Sequence, residues 1–330
     1  MLADYLGLSA STISVVLNNK PNRSIPEATR QRIRDAAQKF NYQPSFLARS
    51  LRSRQTHTIG ILVPELGDGY HTHVMSAIGD QLMHSGYFYF TAHHRHRPEL
   101  VEEYANMLVS RGVEGIIAID TALPGRLSVP VVAVAGHRTI AGVTNVLLDH
   151  RKAAELSLHH LYDLGHREIA FMRGQSFSSD SESRWASTVE VARELGLVVR
   201  PELTVQLERD LTSPELGYPV VQQLLAQSCR FTALVSFNDQ AAIGAIRALQ
   251  DRDFKIPDSV SVIGFDDIKA AAFHNPSLTT IRQPLHDFGT MAADILIERI
   301  LGRSNGRTNV SEVAIAPQLV VRESTGRVSS

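Results

Sequence analysis

Two groups of side chains in this 330-residue sequence have the types and spacing to do chemistry. The first follows a series of apolar runs and holds Asp68, Tyr70, His71, Asp149, His150, Arg184, Trp185, Phe237, Asn238 and Asp266. Carboxylate, amide and guanidinium groups can pair with neighbouring hydroxyls, and an aromatic face can cover the C–H side of a ring. The second is the stretch from Gly7 to Asn19, a tight turn followed by a helix pattern rich in small hydroxyl residues. Leu8, Ile13, Val16 and Leu17 form its apolar side, Ser9 is the expected N-cap, and Ala10, Ser11 and Ser14 face outward. A narrow helix with short side chains is what the reading half of a helix-turn-helix requires to enter a major groove.

Other chemistries find less support. The first apolar run is not followed by G-x-G-x-x-G, and there is no P-loop or G-x-S-x-G. Asp239 and Asp266 are separated carboxylates of the kind a glycosidase uses, but binding hydroxyls or capping helices explains them more simply. His71-Thr72-His73 and His93-His94-Arg95-His96 lack partners at a structural-metal spacing, so no metal and no cofactor are expected. The second cluster reads as solvated loop residues near a cleft mouth. The single cysteine, Cys229, excludes an internal disulfide framework. Met1–Tyr5 lacks the basic start and apolar core of a signal peptide, so a cytoplasmic, nucleoid-associated protein is expected.

The elements that must position these groups follow from pattern. Continuous apolar runs at 59–64, 88–90, 115–119, 131–134, 169–172, 233–236 and 260–264 alternate with helical stretches. That is the signature of parallel strands buried on both faces, and over about 270 residues two such lobes are expected. Ligands of open α/β sheets bind beyond the carboxyl ends of strands, where the first group lies. Ahead of Thr58 the texture differs. Pro26 opens a helix with Ile33, Ala36, Ala37 and Phe40 on its buried face. The leading helix of about six residues is short enough that its first turn is expected to be missing. Residues 1–58 carry nine Lys/Arg against three acids, which leaves 24 basic and 31 acidic residues in the remainder. A basic module on a mildly acidic body points to a polyanionic partner.

Taken in order, several segments resemble the LacI/GalR-type transcriptional repressors. They are Ser9-Ala10-Ser11-Thr12-Ile13-Ser14 with Leu17-Asn18, Asn41-Tyr42-Gln43-Pro44, Leu47-Ala48-Arg49-Ser50-Leu51, Leu164-Gly165-His166-Arg167-Glu168, Phe237-Asn238-Asp239-Gln240-Ala241-Ala242, Ser261-Val262-Ile263-Gly264-Phe265-Asp266-Asp267 and Pro276-Ser277-Leu278-Thr279-Thr280. The resemblance covers essentially the whole chain. It implies an α/β protein with an all-α head (1–43), a hinge helix and linker (44–57) and a two-lobed body like a periplasmic binding protein (58–330). The lobes implied are 58–163 with 284–311, and 164–283 with 312–330, crossing near 163–165, 281–284 and 310–312.

The same resemblance implies roles. Ala10, Ser11 and Val15 stand where relatives meet base edges, and Val15 departs from the polar residue common there. Ser9, Thr12, Ser14, Asn18, Arg30 and Tyr42 suit phosphate contacts. Leu51 stands where the hinge wedges into a minor groove, flanked by Ala48 and Arg49. Tyr70, His71, Asp149, Arg184, Trp185, Asn238 and Asp266 are the expected effector residues, with Trp185 as the stacking platform. His71 replaces an aromatic, and Ser178 stands where some purine-binding relatives carry arginine, which favours a sugar. The expected protein is therefore no enzyme but an effector-responsive repressor of a pseudo-palindromic operator in double-stranded DNA. It acts as a homodimer, with a tetramer left open, and does not engage membranes. The alternatives are a solute-binding protein without DNA function, or a regulator answering to a nucleoside or a protein co-effector.

Overall fold

The computed structural model describes residues 2–17, 25–42, 55–67, 69–209, 213–227, 230–303 and 310–328. The chain divides into two units, Met1–Thr56 and His57–Ser330. In the first, helix α1 (Leu2–Leu6) meets α2 (Ala10–Leu17) through Gly7, whose φ of +65° lies in the left-handed region. The Leu8 amide closes that turn by donating to the Ala3 carbonyl at 3.1 Å. Helix α3 (Glu27–Lys39) completes the unit, and Leu2, Ile13, Val16, Ile33, Ala36 and Ala37 form its buried core. Phe40, expected in that core, is 41% exposed: it falls at the C-cap of α3, and its ring rests edge-on against Tyr5 at 4.8 Å.

The second unit begins with β1 (Thr58–Val63), α4 (Tyr70–His84), β2 (Phe88–His93), α5 (Pro98–Ser110), β3 (Gly115–Ile119), β4 (Val131–Val134) and β5 (Val143–Leu148). It continues with α6 (His150–Asp163), β6 (Ile169–Arg173), α7 (Ser181–Glu194), β7 (Thr204–Gln206), α8 (Gly217–Ala226), β8 (Ala233–Val235) and α9 (Asp239–Gln250). Then follow β9 (Ser261–Asp266), α10 (Lys269–Phe273), β10 (Thr279–Arg282), α11 (Leu285–Ile300), β11 (Glu312–Ile315) and β12 (Gln318–Val320). Two six-stranded sheets result, ordered β11-β5-β4-β3-β1-β2 and β12-β10-β9-β8-β6-β7. All pairings are parallel except β10 with β12.

Alternation along each strand explains the layering. Ile59, Ile61 and Val63 of β1 pack with α4 and α11, while Leu62 faces α5 through Val101, Ala105 and Leu108. In the second lobe Ala170, Met172 and Val262 face α8 and α9, and Ile169, Phe171 and Ile263 face α6 and α7. Strand β2 departs from the expected buried run. As an edge strand it leaves Phe88 63% and Phe90 40% exposed.

The lobe crossings differ from expectation at two of three places. Helix α6 packs on the second sheet, through Ala154, Leu158 and Leu161 against Phe171 and Val191, so the first crossing is at Leu148–His150 and not near 163–165. The last falls between Ile315 and Gln318 and not at 310–312, because β11 still pairs with β5 of the first sheet. An amphipathic pattern records that a helix has a buried face but not which sheet covers it. Among the described residues no helix is long and apolar enough to cross a membrane.

Candidate functional site

The loops after the strands of both sheets converge on a cleft between the lobes, with a cavity of about 90 Å³. Tyr70 and His71, at the start of α4, form part of the first-lobe wall. Asp120 follows β3 directly, and its φ of +40° turns the chain there. His71 lies between two carboxylates, with Nδ1 3.3 Å from Glu65 Oε1 and Nε2 3.4 Å from Asp120 Oδ2. Burial works against protonation of this ring, but hydrogen bonds to Asp120 and Glu65 hold its pKa at about 9. The imidazolium therefore persists at neutral pH. Asp120 is buried too, yet His137 Nε2 at 3.2 Å, His71 and the Ser179 amide at 2.9 Å hold its carboxyl far below the ordinary range.

On the second-lobe wall, Arg184 of α7 pairs with Asp180 one turn earlier and donates to the Phe237 carbonyl at 2.7 Å. Its guanidinium lies 3.8 Å from the Phe265 ring and 4.4 Å from that of Phe237. Burial raises Asp180, but Arg184 and His150 outweigh it, and the carboxyl sits below its ordinary value. Asp266 ends β9 and behaves oppositely: burial lifts it to about 7, against the pull of Arg184 and the 2.6 Å hydrogen bond donated by Gln283 Nε2. Tyr70 is pushed well above 10 by burial and by Asp180, Asp120 and Asp266, so its hydroxyl keeps its proton. Among the described residues, the Ser179 amide on Asp120 and the His96 ring against Phe177, with centroids 4.5 Å apart, join the walls.

Of the expected effector residues, Tyr70, His71, Arg184, Asn238 and Asp266 line this cleft. Asp149 does not line it; its Oδ1 accepts from the Lys152 amide at 2.8 Å and caps α6. Trp185 also lies outside the lining, with its ring edge-on to Phe171 at 5.9 Å, so Tyr70, Phe177 and Phe237 supply the aromatic faces. Sequence reasoning missed Glu65, Asp120, Asp180, Gln175, Gln240 and Gln283. Asp120, at a strand's carboxyl end, and Asp180, one turn before Arg184, carried a positional signal. The second histidine cluster is mixed. His96 reaches the cleft, but His94 is buried, its Nε2 2.9 Å from Thr121 Oγ1, and burial lowers its pKa to about 4. No group of three or more His, Cys, Asp or Glu among the described residues could hold a metal ion.

In the first unit, Ser9 Oγ accepts from the Thr12 amide at 3.2 Å, which caps α2 as the sequence suggested. Ala10 and Ser11 are exposed on that helix, Thr12, Ser14 and Val15 are half-buried, and Tyr42 is 39% exposed. Arg30 Nε donates to the Ile25 carbonyl at 3.2 Å. Asn18 and the hinge residues Ala48, Arg49 and Leu51 lie outside the described residues.

Residues 2–45 match the family described as bacterial regulatory proteins of the lacI family, and residues 158–325 match the periplasmic binding protein-like domain. The chain is 30% identical to the HTH-type transcriptional repressor PurR of Haemophilus influenzae, over 98% of this chain and 97% of that protein. It is 31% identical to PurR of Glaesserella parasuis, over 98% and 96%. Among solved structures, the lac repressor dimer bound to operator and the anti-inducer ONPF superposes with a TM-score of 0.87 at 24% identity, covering 98% of both chains. A periplasmic binding protein/LacI transcriptional regulator from Alkaliphilus metalliredigens complexed with D-xylulofuranose does so at 0.72 and 26%, over 82% of this chain and 99% of that one.

Proposed function

The chain belongs to the LacI family of DNA-binding transcriptional repressors with a ligand-binding body, and on that premise we propose that its effector is a sugar held in the inter-lobe cleft. The observation that carries this reading is the set of hydrogen-bonding groups in the cleft, carboxylate acceptors beside an amide and a guanidinium. Asp120, Asp180, Asp266, Asn238 and Arg184 face one space beside the Tyr70 and Phe237 rings. Adjacent hydroxyls can each donate to a carboxylate and accept from an amide or guanidinium, and a ring face covers the C–H side. The sugar-bound Alkaliphilus structure supports the same class of ligand.

Two copies bind a pseudo-palindromic operator through α2, with Ala10, Ser11 and Val15 toward base edges and Ser9, Thr12, Ser14, Asn18, Arg30 and Tyr42 toward phosphates. The exposed β2 edge suits contact with the second copy. Ala48, Arg49 and Leu51 engage the minor groove. Leu51→Ala then loses operator affinity in a gel-shift assay while ligand binding is retained. Ligand controls DNA binding by preferring one lobe arrangement, so its sign follows from which arrangement the operator-bound dimer uses.

A purine base is the second reading, favoured by the PurR relatives. Isothermal titration of the full chain with a panel of pentoses, hexoses, hypoxanthine and guanine separates the two. Micromolar binding of a sugar with no response to either base is the expected result. Binding of a base alone overturns the sugar reading.

A further inference from the structure

A side pocket of about 40 Å³ opens in the second lobe between α6, α7 and the carboxyl ends of β6, β8 and β9. Phe171, Trp185, Phe237 and Phe265 supply its aromatic wall, with Ala153 and Ala154 of α6 opposite. Arg184 and Phe237 line both this pocket and the cleft. Gly174 makes that shared wall possible, since a Cβ there would come within 2.5 Å of three atoms of the Phe237 ring.

Three of the four hydroxyls around the pocket are engaged with backbone. Ser157 Oγ donates to the Ala153 carbonyl at 3.0 Å, Thr188 Oγ1 to that of Arg184 at 2.9 Å, and Ser236 Oγ to that of Asn238 at 3.0 Å. What they leave is a mostly apolar space whose polar exceptions are the Ser181 hydroxyl and the buried Nε atoms of Arg173 and Arg184, the latter two without a hydrogen-bond partner among the described residues. The space has room for a few heavy atoms, because a single water occupies roughly 10–15 Å³ by the same measure.

We propose that the side pocket is a specificity compartment that takes a short alkyl substituent, one to three carbons, on the ligand held in the cleft. The inference rests on reading the cleft as a small-ligand site. It adds a discrimination the cleft alone lacks. The cleft recognises hydroxyls, whereas the compartment rewards apolar volume next to Arg184. Each buried methylene is worth about fourfold in affinity.

Trp185, the only tryptophan of the chain, lines the pocket and not the cleft, so its emission reports occupancy. Xenon is a suitable direct probe because small apolar cavities bind it. Equilibrating the full chain with xenon should quench Trp185 saturably and give a bound-state shift in xenon-129 NMR. Both signals should vanish in Ala154→Leu and in Thr188→Leu, which fill the pocket from opposite helices, with circular dichroism confirming the fold. Absence of saturable quenching, or quenching that survives filling in a folded variant, overturns the proposal. In a second arm, a sugar that binds in the panel is compared with its methyl, ethyl and isopropyl glycosides. A gain of about fourfold per carbon, lost in Thr188→Leu, is expected. Equal affinities overturn the compartment. Should no sugar bind at all, the cleft reading fails while xenon still decides the side pocket.

Discussion

On the first-lobe wall of the cleft, Asp120 meets two imidazoles and a backbone amide; on the second-lobe wall, Asp266 accepts from Gln283, and its charge disfavours ionisation of another buried carboxylate, Asp239. Asp239 is itself satisfied, accepting from Thr280 Oγ1 at 2.6 Å and from the Ile268 amide at 2.9 Å, but burial and Asp266 raise it well above its ordinary value. The same residue type thus moves in opposite directions: its partners outweigh burial at Asp120, and burial outweighs the partners at Asp266. The first wall arrives with its charge compensated by the His71 imidazolium between Glu65 and Asp120, a preset surface. The second holds acceptor capacity in reserve at Asp266, which a ligand hydroxyl can use. Arg184 is the hinge of this contrast, because it compensates Asp180 and also lowers Asp266.

Removing that cation is the strongest way to break the contrast. Arg184→Ala leaves Asp180 buried without its partner, and loss of one member of a buried pair costs about 3–5 kcal/mol. Urea denaturation should show a drop of that size, whereas a loss below about 1 kcal/mol would mean that water or His150 compensates Asp180 unaided.

The next test exploits pH. His71 has a folded pKa of about 9 against 6.5 when unfolded, so its contribution is complete below pH 6.5 and is lost as pH rises through 9. The expected decline across that window is about 3 kcal/mol, and His71→Gln should flatten it. A flat wild-type profile would show that the first wall is not preset by charge.

Asp266 gives a smaller effect of different kind. Its folded pKa of about 7 exceeds the ordinary 3.8, so its ionisation costs stability between pH 4 and 7. Ligand hydroxyls bind the ionised form, so affinity should rise roughly tenfold from pH 6 to pH 8. Calorimetry of wild type and Asp266→Asn checks this: the variant should bind weakly and without pH dependence. A rise that persists in the variant would assign the titration to another group.

How much of this was legible depended on what each residue's neighbours share with its own sequence. Strands β1, β3, β4, β6 and β9 read directly, because burial on both faces leaves an unbroken apolar run. Strand β5 did not, since Thr144 and Asn145 interrupt it. They are buried with partners that the strand pattern does not contain: Thr144 donates to the Val310 carbonyl at 2.6 Å, and Asn145 pairs with the Gly136 backbone of the preceding loop. Asp149 lies outside the cleft lining and caps α6, a service that an aspartate after a strand provides equally well. Trp185 lies outside that lining, and helical spacing does not tell which side of Arg184 it occupies. His71 was found as a position, but its charge depends on Glu65 and on Asp120, 49 residues away, and no local pattern contains that pairing.

The smallest effect concerns the seam between the walls. The His96–Phe177 contact joins a first-lobe loop to a second-lobe loop, and the Ser179 amide on Asp120 lies beside it. Aromatic contacts of this kind contribute about 0.5–1.5 kcal/mol. His96→Ala should therefore leave folding stability nearly unchanged while shifting the lobes toward an open arrangement, a change of three- to tenfold in the closed-to-open ratio. Single-molecule energy transfer between dyes on the two lobes reads that ratio directly. If the preset first wall organises closure, the shift in His96→Ala should be smaller than in Asp120→Asn, where the amide contact loses its charged acceptor. Equal shifts would mean that the ring contact and the carboxylate share the seam evenly, and the contrast between a preset wall and a receptive one would then have to be redrawn around the loops instead of the charges.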